Sequence, residues 1–242
     1  MALIDVFDSL PSTQTEALNR LRAADCGPRW VRAKWQTAGQ GRMGRQWEGP
    51  SGNLMASWYG VLPVEMRRVT QLSFVAALAV TDAIRPLLRA PDPLKIKWPN
   101  DVLYEGRKLC GILAQSETLE TGLGIVIGIG INVTEAPQGL SYGTAAVNDL
   151  TAQPQTVEGV LEALDAAMTR RLDDWLTHGF EVTAAQWWDQ AYGRDRLCLI
   201  EQHPQARTGT ILGLDEYGAL RVRDPDGMIH VIASGSVSYP EA

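Results

Sequence analysis

A glycine-rich, basic segment carries the side chains best suited to hold an anion. Residues 36–47 read QTAGQGRMGRQW, with Arg42 and Arg45 three positions apart and Trp47 shortly after them. Glycines let backbone N–H groups approach an anion closely, and arginines neutralise phosphate or carboxylate charge. The indole of Trp47 is able to cover a base. The segment lacks the Gly-Lys-Ser/Thr ending of a P-loop and the strand-to-helix setting of a dinucleotide fingerprint. Taken alone, it is equally consistent with a solvated surface loop.

Charged side chains follow in two segments that flank a predicted turn. Residues 97–101 read KWPND, where Asp101 comes directly after a Pro-Asn pair that favours a turn. Residues 107–113 read RKLCGIL, so that Lys108 begins a strongly apolar strand. A lysine in that position can point into a cleft toward an anion. Lys97, by contrast, is consistent with a solvated lysine at a strand edge.

Small and polar residues mark two further candidate positions. Residues 128–132 read GIGIN, which leaves room for a flat ligand beside Asn132. Residues 12–14 (STQ) place hydroxyl and amide groups at a helix start, where a simple capping role is the alternative. No Ser/His/Asp or Cys/His arrangement is recognisable in the sequence. The candidates therefore favour phosphate chemistry that depends on positioning and charge over hydrolysis.

Hydrophobic periodicity predicts the elements that hold these residues. Helices are predicted at 14–24, 69–87, 155–178 and 182–190, with strands at 3–7, 30–36, 53–61, 94–98, 108–117 and 123–132. The first helix is given a capping box at Thr13 and Glu16. After Arg194, short β-type runs alternate with turns, one of them at His203-Pro204. The pattern predicts mixed strands and helices followed by a small all-β module.

Composition limits the function classes. The chain has 242 residues and a formal net charge of −6, which argues against generic electrostatic binding to nucleic acid. Its three cysteines are far apart and odd in number, which indicates no disulfide framework and a reducing compartment. Neither a signal-peptide pattern nor an apolar run of about 20 residues is found. We therefore expect a soluble cytoplasmic protein without a membrane contact.

Taken together and in this order, the motifs resemble those of the biotin protein ligases. The resemblance is carried by residues 12–14 (STQ), 39–47 (GQGRMGRQW), 97–101 (KWPND), 107–113 (RKLCGIL) and 128–133 (GIGINV). Each motif is modest alone, but their common order and spacing are specific.

The resemblance implies an α+β fold and a two-step ATP-dependent reaction. The fold is a mixed sheet flanked by helices, of the class II biotin/lipoyl ligase type, over residues 1–192. An SH3-like β-barrel is expected over residues 193–242. Biotin and MgATP would give biotinyl-5'-AMP and pyrophosphate, and biotin would then pass to one lysine of a biotin carboxyl carrier domain.

The resemblance also implies a role for each matching residue. Lys108, Arg42 and Asp101 are expected to be catalytic; Asp101 would either orient the incoming amine or help to place magnesium, whose ligands stay unassigned. Biotin is expected to contact Ser12, Thr13, Gln14, Gln36, Gln40, Gly41, Arg42, Lys108, Gly111, Leu113, Gly128 and Gly130. ATP is expected to contact Arg42, Arg45, Trp47 and Asn132.

Two positions depart from the family pattern. Gln40 stands where the family usually has arginine, which removes one cationic contact from the loop. Gln14 stands where asparagine is common, a change that keeps the amide. Eleven residues precede Ser12, so we expect the type without an N-terminal DNA-binding domain and no nucleic-acid partner.

Two other functions remain open at this stage. One is a lipoate or octanoate ligase or transferase of the same fold, although the polar set Ser12, Thr13 and Gln36 favours the ureido ring of biotin. The other is a non-catalytic biotin-binding module, which would not need Arg42 or Lys108 around a nucleotide. By analogy with the family we also expect a homodimer formed through the catalytic sheet.

Overall fold

A seven-stranded mixed sheet organises the larger part of the protein. The computed structural model describes residues 2–202 and 205–239. The strands are β1 (Leu3–Leu10), β2 (Arg29–Gln36), β3 (Leu54–Leu62), β4 (Leu94–Lys97), β5 (Asp101–Tyr104), β6 (Arg107–Leu119) and β7 (Gly122–Ile131). Their order is β1-β2-β3-β7-β6-β5-β4, in which β1 and β2 are parallel and every other pair is antiparallel.

Helices cover both faces of this sheet. They are α1 (Thr13–Arg22), α2 (Leu72–Ile84), α3 (Val147–Leu150), α4 (Val157–His178) and α5 (Phe180–Asp189). Side chains alternate along a strand, so β2 directs Trp30 into the main core with α2 and α4, and Val31 toward α1. Helix α2 is apolar almost all round because it lies between the sheet and the other helices.

Helix boundaries follow recognisable signals. Thr156 caps α4 by accepting a hydrogen bond from the Gly159 N–H at 3.1 Å. Gly179, with φ of 80°, ends the same helix in a conformation that favours glycine. Pro86 lies in a short 3-10 turn at residues 85–87, as expected from its missing N–H.

A second sheet follows in the C-terminal part. Its strands are β8 (Leu197–Gln202), β9 (Gln205–Leu214), β10 (Leu220–Arg223), β11 (Ile229–Ile232) and β12 (Ser236–Ser238). They are antiparallel in the order β11-β10-β9-β8-β12, which agrees with the predicted all-β module. Closure of these strands into a barrel and a boundary at residues 192/193 stay predictions. The turn predicted at His203-Pro204 and the final residues 240–242 lie outside the described residues.

Several element predictions were wrong in detail. The cap of α1 is Ser12, whose Oγ accepts from the Thr15 N–H at 3.4 Å, so Thr13 is the first helical residue and not the cap. The helix predicted over 69–87 is divided, because residues 66–71 and 85–87 form 3-10 turns on either side of α2. Two short elements, β12 and α3, were not predicted because runs of three or four residues carry almost no periodicity.

Candidate active site

One cavity of about 520 Å³ gathers nearly all of the predicted site residues. It lies over the sheet and is bounded by the start of α1, the loop after β2, the β4–β5 turn and residues 235–239 of the C-terminal sheet. The predicted residues that line it are Ser12, Thr13, Gln14, Gln36, Gln40, Gly41, Arg42, Arg45, Trp47, Asp101, Lys108, Gly111, Leu113, Gly128 and Gly130. Residues distant in sequence thus meet in one place, as their chemistry required.

One part of the cavity wall is polar and mostly uncharged. Thr13 is held by Gln36, whose Oε1 accepts from the Thr13 backbone N–H at 2.7 Å and from its hydroxyl at 3.1 Å. The Thr13 hydroxyl also lies 2.9 Å from the hydroxyl of Ser57. Ser57 is completely buried on β3 and is the polar residue that the sequence analysis missed. A single serine within the apolar run 54–62 was the available signal.

Gln14 has a structural position that its predicted role did not anticipate. Its Nε2 donates to Gln115 Oε1 at 3.0 Å and to the carbonyl of Leu113 at 3.3 Å, and its Oε1 accepts from Ser57 at 3.1 Å. A Cβ on Gly128 would lie 2.5 Å from Gln14 Oε1. The space above Gly128 is therefore filled by the Gln14 side chain, which forms one wall of the cavity.

The part of the cavity wall around Lys108 is positively charged. The ladder between β5 and β6 shifts register between Val102 and Leu103, and this bulge presents Lys108 to the cavity while Leu109 is fully buried. Lys108 Nζ lies 2.8 Å from Asp101 Oδ1, an ion pair by distance whose angles are not those of a hydrogen bond, so that this buried oxygen has no hydrogen-bond partner among the described residues. It is also 5.6 Å from the ring centroid of Trp47 and 5.5 Å from that of Tyr142. An ammonium held in this way is fixed in place before any ligand arrives.

Arg42 and Lys97 are cations that the protein leaves poorly solvated. Burial lowers the pKa of the Arg42 guanidinium, with Asp101 opposing this shift and Arg45 adding to it. Burial likewise lowers the pKa of Lys97, again against the effect of Asp101. Lys97 was interpreted as a solvated edge lysine, and that interpretation was wrong because its side chain lines the cavity. Desolvated cations beside a single carboxylate favour a bound anion.

The loop from Gly39 to Trp47 is a small hairpin. The N–H of Gly41 donates to the carbonyl of Arg45 at 2.8 Å, and the N–H of Trp47 donates to the carbonyl of Gly39 at 3.0 Å. Gln40 Nε2 donates to Thr15 Oγ1 at 3.1 Å, which ties the loop to the first turn of α1. Arg42 Nη1 donates to Asn100 Oδ1 at 3.3 Å, so the β4–β5 turn supports the same loop.

Trp47 lies against the sheet. A Cβ on Gly130 would be 2.3 Å from its Cε2, and a Cβ on Gly111 would be 2.7 Å from its Cζ3. Both glycines line the cavity as predicted, but the space directly above them is filled by the indole. Trp47 Nε1 is buried and has no hydrogen-bond partner among the described residues.

Asn132 is the predicted site residue that does not line the cavity. It is 1% exposed, and its Nδ2 donates to the carbonyls of Ala145 at 3.2 Å and Lys108 at 3.3 Å. This amide therefore joins the segment after β7 to the start of β6. Only Oδ1, which has no partner among the described residues, is left to accept a hydrogen bond.

Other residues that line the cavity were not predicted from the sequence patterns. The C-terminal segment Gly235–Tyr239 contributes a wall, and Tyr142 lies half exposed at the rim. Within residues 2–202 and 205–239, no cluster of three or more His, Cys, Asp or Glu side chains is arranged to hold a metal ion. Over the same ranges, none of the helices combines the length and apolar character needed to cross a bilayer.

The matches to family models define the class of this fold and site. Residues 6–132 match the biotin/lipoate A/B protein ligase family, and residues 196–239 match the biotin protein ligase C terminal domain. The chain belongs to the biotin/lipoate A/B protein ligase family, on the biotin protein ligase side of it. The family resemblance predicted from the motifs is confirmed.

Individual relatives extend this comparison. A biotin--[acetyl-CoA-carboxylase] ligase of Paracoccus denitrificans is 34% identical over 94% of this chain and 97% of its own length. The enzyme of the same name from Mycobacterium tuberculosis is 33% identical over 98% of this chain and 88% of its own. The biotin protein ligase of Aquifex aeolicus, solved in complex with biotin and ATP, superposes with a TM-score of 0.82 at 25% identity and covers 99% of both chains. The predicted mixed sheet with a C-terminal β module is confirmed.

Proposed function

We propose that this chain is an ATP-dependent biotin ligase that forms biotinyl-5'-AMP and transfers biotin to a lysine of a biotin carboxyl carrier domain. One observation carries the proposal. A single cavity combines the hydrogen-bonded set Thr13, Gln36 and Ser57 with the cations Arg42, Lys97 and Lys108. Biotinyl-5'-AMP presents the complementary groups in one molecule, since it joins an uncharged polar ring to a nucleotide phosphate through the acyl tail of biotin.

The ureido ring of biotin is assigned to the uncharged part of the wall. Thr13 and Gln36 are already oriented by their mutual hydrogen bonds, so little conformational entropy is lost when a ligand replaces water there. The hydroxyl of Ser12 accepts one helix N–H and keeps its own proton for donation. A lipoyl or octanoyl tail has no ureido group to hydrogen-bond with this part of the wall, so the water that it displaces there would not be replaced by a polar partner.

The carboxylate and α-phosphate are assigned to the cationic part. In the first step a carboxylate oxygen of biotin forms a bond to the α-phosphorus, and the bond to pyrophosphate breaks with the electron pair leaving on pyrophosphate. Negative charge on the phosphoryl oxygens is stabilised by Lys108 and Arg42. These two side chains are held by Asp101 and Asn100 before the reaction, so no reorganisation is needed as charge develops.

The adenine is assigned to the free side of Trp47. Its other face is packed on Gly111 and Gly130, which fixes the ring as a stacking platform. A contact from adenine to Asn132 stays a prediction, and it is restricted to Oδ1 because Nδ2 is already bonded to two backbone carbonyls.

Magnesium would arrive with the triphosphate. Mg²⁺ in such sites commonly keeps several waters and takes one or two protein carboxylates plus substrate phosphates. Asp101 is the carboxylate that lines the cavity among the described residues, and it fits that role if its pairing with Lys108 is shared. When bound, the ion neutralises phosphate charge.

In the second step the carrier lysine attacks the acyl carbon. A carbon–nitrogen bond forms, the bond to AMP breaks with its electron pair leaving on the AMP oxygen, and the proton lost by the amine passes to solvent. If Asp101 does not hold magnesium, its alternative role is to accept a hydrogen bond from the incoming amine and so to direct it. The names of the two relatives include acetyl-CoA carboxylase, which indicates the kind of carboxylase whose carrier domain is modified.

Pyrophosphate release separates this proposal from its alternatives. The protein is incubated with ATP and biotin, lipoate or octanoate, and a carrier domain is then analysed by mass spectrometry for the added acyl group. We expect pyrophosphate to be released from ATP with biotin but not with lipoate or octanoate, and one biotin to be added to each carrier domain. Release with lipoate or octanoate in place of biotin would support the acyl-transfer alternative. Biotin binding in a thermal-shift assay without pyrophosphate release would support a non-catalytic module.

Assembly and partners beyond biotin stay predictions. The homodimer expected through the catalytic sheet would use an edge such as β1, where Leu3 and Val6 are 62% and 51% exposed. Sedimentation analysis with and without biotin and ATP tests it. Lack of nucleic-acid binding is expected from the net charge of −6, and a cytoplasmic location from the cysteine pattern.

A further inference from the structure

The turn between β9 and β10 is a braced projection of the C-terminal sheet. Asp215 Oδ1 accepts from the N–H groups of Tyr217 at 2.9 Å and Ala219 at 2.8 Å, and the Gly218 N–H donates to the Asp215 carbonyl at 3.1 Å. These bonds fix the turn from within. We call residues 215–218 the hairpin tip.

The hairpin tip is bound to the catalytic part through three successive carbonyls. Gln71 Nε2 donates to the Glu216 carbonyl at 2.8 Å, and Thr70 Oγ1 donates to the Tyr217 carbonyl at 2.7 Å. Trp98 Nε1 donates to the Gly218 carbonyl at 3.2 Å. Trp98 is only 2% exposed with the tip in place, so its indole N–H depends on the Gly218 carbonyl for a hydrogen bond.

Close packing makes the tip specific in shape. Gly218 has φ of 86°, and a Cβ there would lie 2.5 Å from Cε2 of Phe74 on α2. Glycine is required both by the conformation and by the close approach. The tip therefore packs closely against a surface formed by Phe74, Thr70 and Trp98.

Trp98 leads directly into the active-site turn. Two residues on, Asn100 donates from Nδ2 to the Ile112 carbonyl at 2.6 Å and accepts from the Ile112 N–H at its own carbonyl at 3.0 Å. Asn100 Oδ1 accepts a hydrogen bond from Arg42, and the next residue, Asp101, forms an ion pair with Lys108. A displacement of Trp98 therefore changes the supports of both cations.

We propose that the hairpin tip of the C-terminal sheet sets the position of the 98–101 turn, with Trp98 as the positioning residue through which it acts on Arg42 and Lys108. The inference rests on the proposed function for its activity readout. It assigns the C-terminal sheet a role in adenylate formation through a hairpin tip that does not line the cavity, whereas Trp98 does line it.

The test compares two tryptophans that differ in what they support. Trp98→Phe keeps the aromatic packing and removes the donor to Gly218. Trp30→Phe is the matched control, because Trp30 is fully buried, donates at 2.8 Å to Asp165 and does not line the cavity. Both variants are expected to melt at a lower temperature. Only Trp98→Phe is expected to lower kcat for pyrophosphate release, by roughly ten- to a hundredfold, with KM for biotin unchanged.

A variant in the other domain and a readout without turnover complete the test. Gly218→Ala displaces the tip from its own side and is expected to give the same split between kcat and KM. Hydrogen exchange should be faster at the Ile112 amide in Trp98→Phe and unchanged there in Trp30→Phe. Wild-type kcat with unchanged exchange in Trp98→Phe, or equal kcat losses in both tryptophan variants, would overturn the inference. An inactive wild type would refute the proposed function, and hydrogen exchange would still decide the positioning role.

Discussion

Replacing Gly130 by alanine tests whether the packing of the Trp47 indole against Gly130 determines nucleotide affinity. The added Cβ would lie 2.3 Å from Cε2, 2.4 Å from Cζ2 and 2.6 Å from Nε1 of Trp47. Ordinary carbon contacts begin near 3.4 Å, so the indole must retreat by about 1 Å. Overpacking of this kind costs about 1–3 kcal/mol, which corresponds to roughly 5- to 150-fold in affinity if the strain falls on the stacking position.

The measurement is calorimetric titration of ATP and, separately, of biotin. Gly130→Ala should weaken ATP by that factor and biotin by much less. Gly128→Ala is the matched control on the same strand, because its Cβ would meet Gln14 Oε1 at 2.5 Å and should affect biotin instead. Trp47→Phe removes the fused ring that Gly130→Ala would strike. The double variant should therefore show less than the sum of the two losses. Unchanged ATP affinity in a folded Gly130→Ala protein would refute the reasoning.

Three further substitutions test individual side chains. Lys108→Ala should abolish most adenylate formation while leaving biotin binding partly intact, because its charge matters most as the phosphate reacts; single-turnover pyrophosphate release measures this. Trp47→Ala should weaken ATP by about 1–3 kcal/mol and biotin by less, as measured by titration. Arg42→Gly should still form biotinyl-5'-AMP but release it early, since a charge-assisted contact of about 1.5–3 kcal/mol is lost; biotin blotting of bystander albumin detects the escaped adenylate.

Each of these expectations has an outcome that contradicts it. Wild-type pyrophosphate release in Lys108→Ala, with Lys95→Ala as a control outside the cavity lining, would exclude the charge role. Equal losses of ATP and biotin in Trp47→Ala would argue against stacking. Albumin labelling that does not increase in Arg42→Gly, while adenylate is still made, would show that another residue retains the intermediate. Gln40→Arg restores the usual loop cation and should lower labelling.

The sequence could predict the composition of the site better than its internal arrangement. Thr13, Arg42 and Lys108 line one cavity, and the sequence connected them through the order and spacing of the family motifs, since each motif alone was ambiguous. The arrangement depended on contacts between residues far apart in the chain. The indole of Trp47 on Gly130 and the amide of Gln14 on Gly128 are cross-strand packing facts that no local pattern contains.

Element prediction failed where tertiary packing overrides local preference. Residues 69–71 were predicted as the start of a helix but lie in a 3-10 turn over residues 66–71, and Gln71 at its end forms hydrogen bonds with both Trp175 and the hairpin tip. Strand β12 is only three residues long, and its pairing with β8 is what defines it. Ser57 was overlooked because one hydroxyl in an apolar strand resembles ordinary variation until its partners are known.

The wall formed by Gly235–Tyr239 has a consequence for how the protein is made. Every cation of the cavity, from Arg42 to Lys108, is synthesised long before this wall, because translation runs from the N-terminus and domains fold as they emerge. A nascent chain that has reached only the end of α5 already carries those cations but has an open side where the β12 segment belongs. The side of the cavity formed by the β12 segment is therefore the last part of the site to be made, and a chain that ends after α5 lacks it.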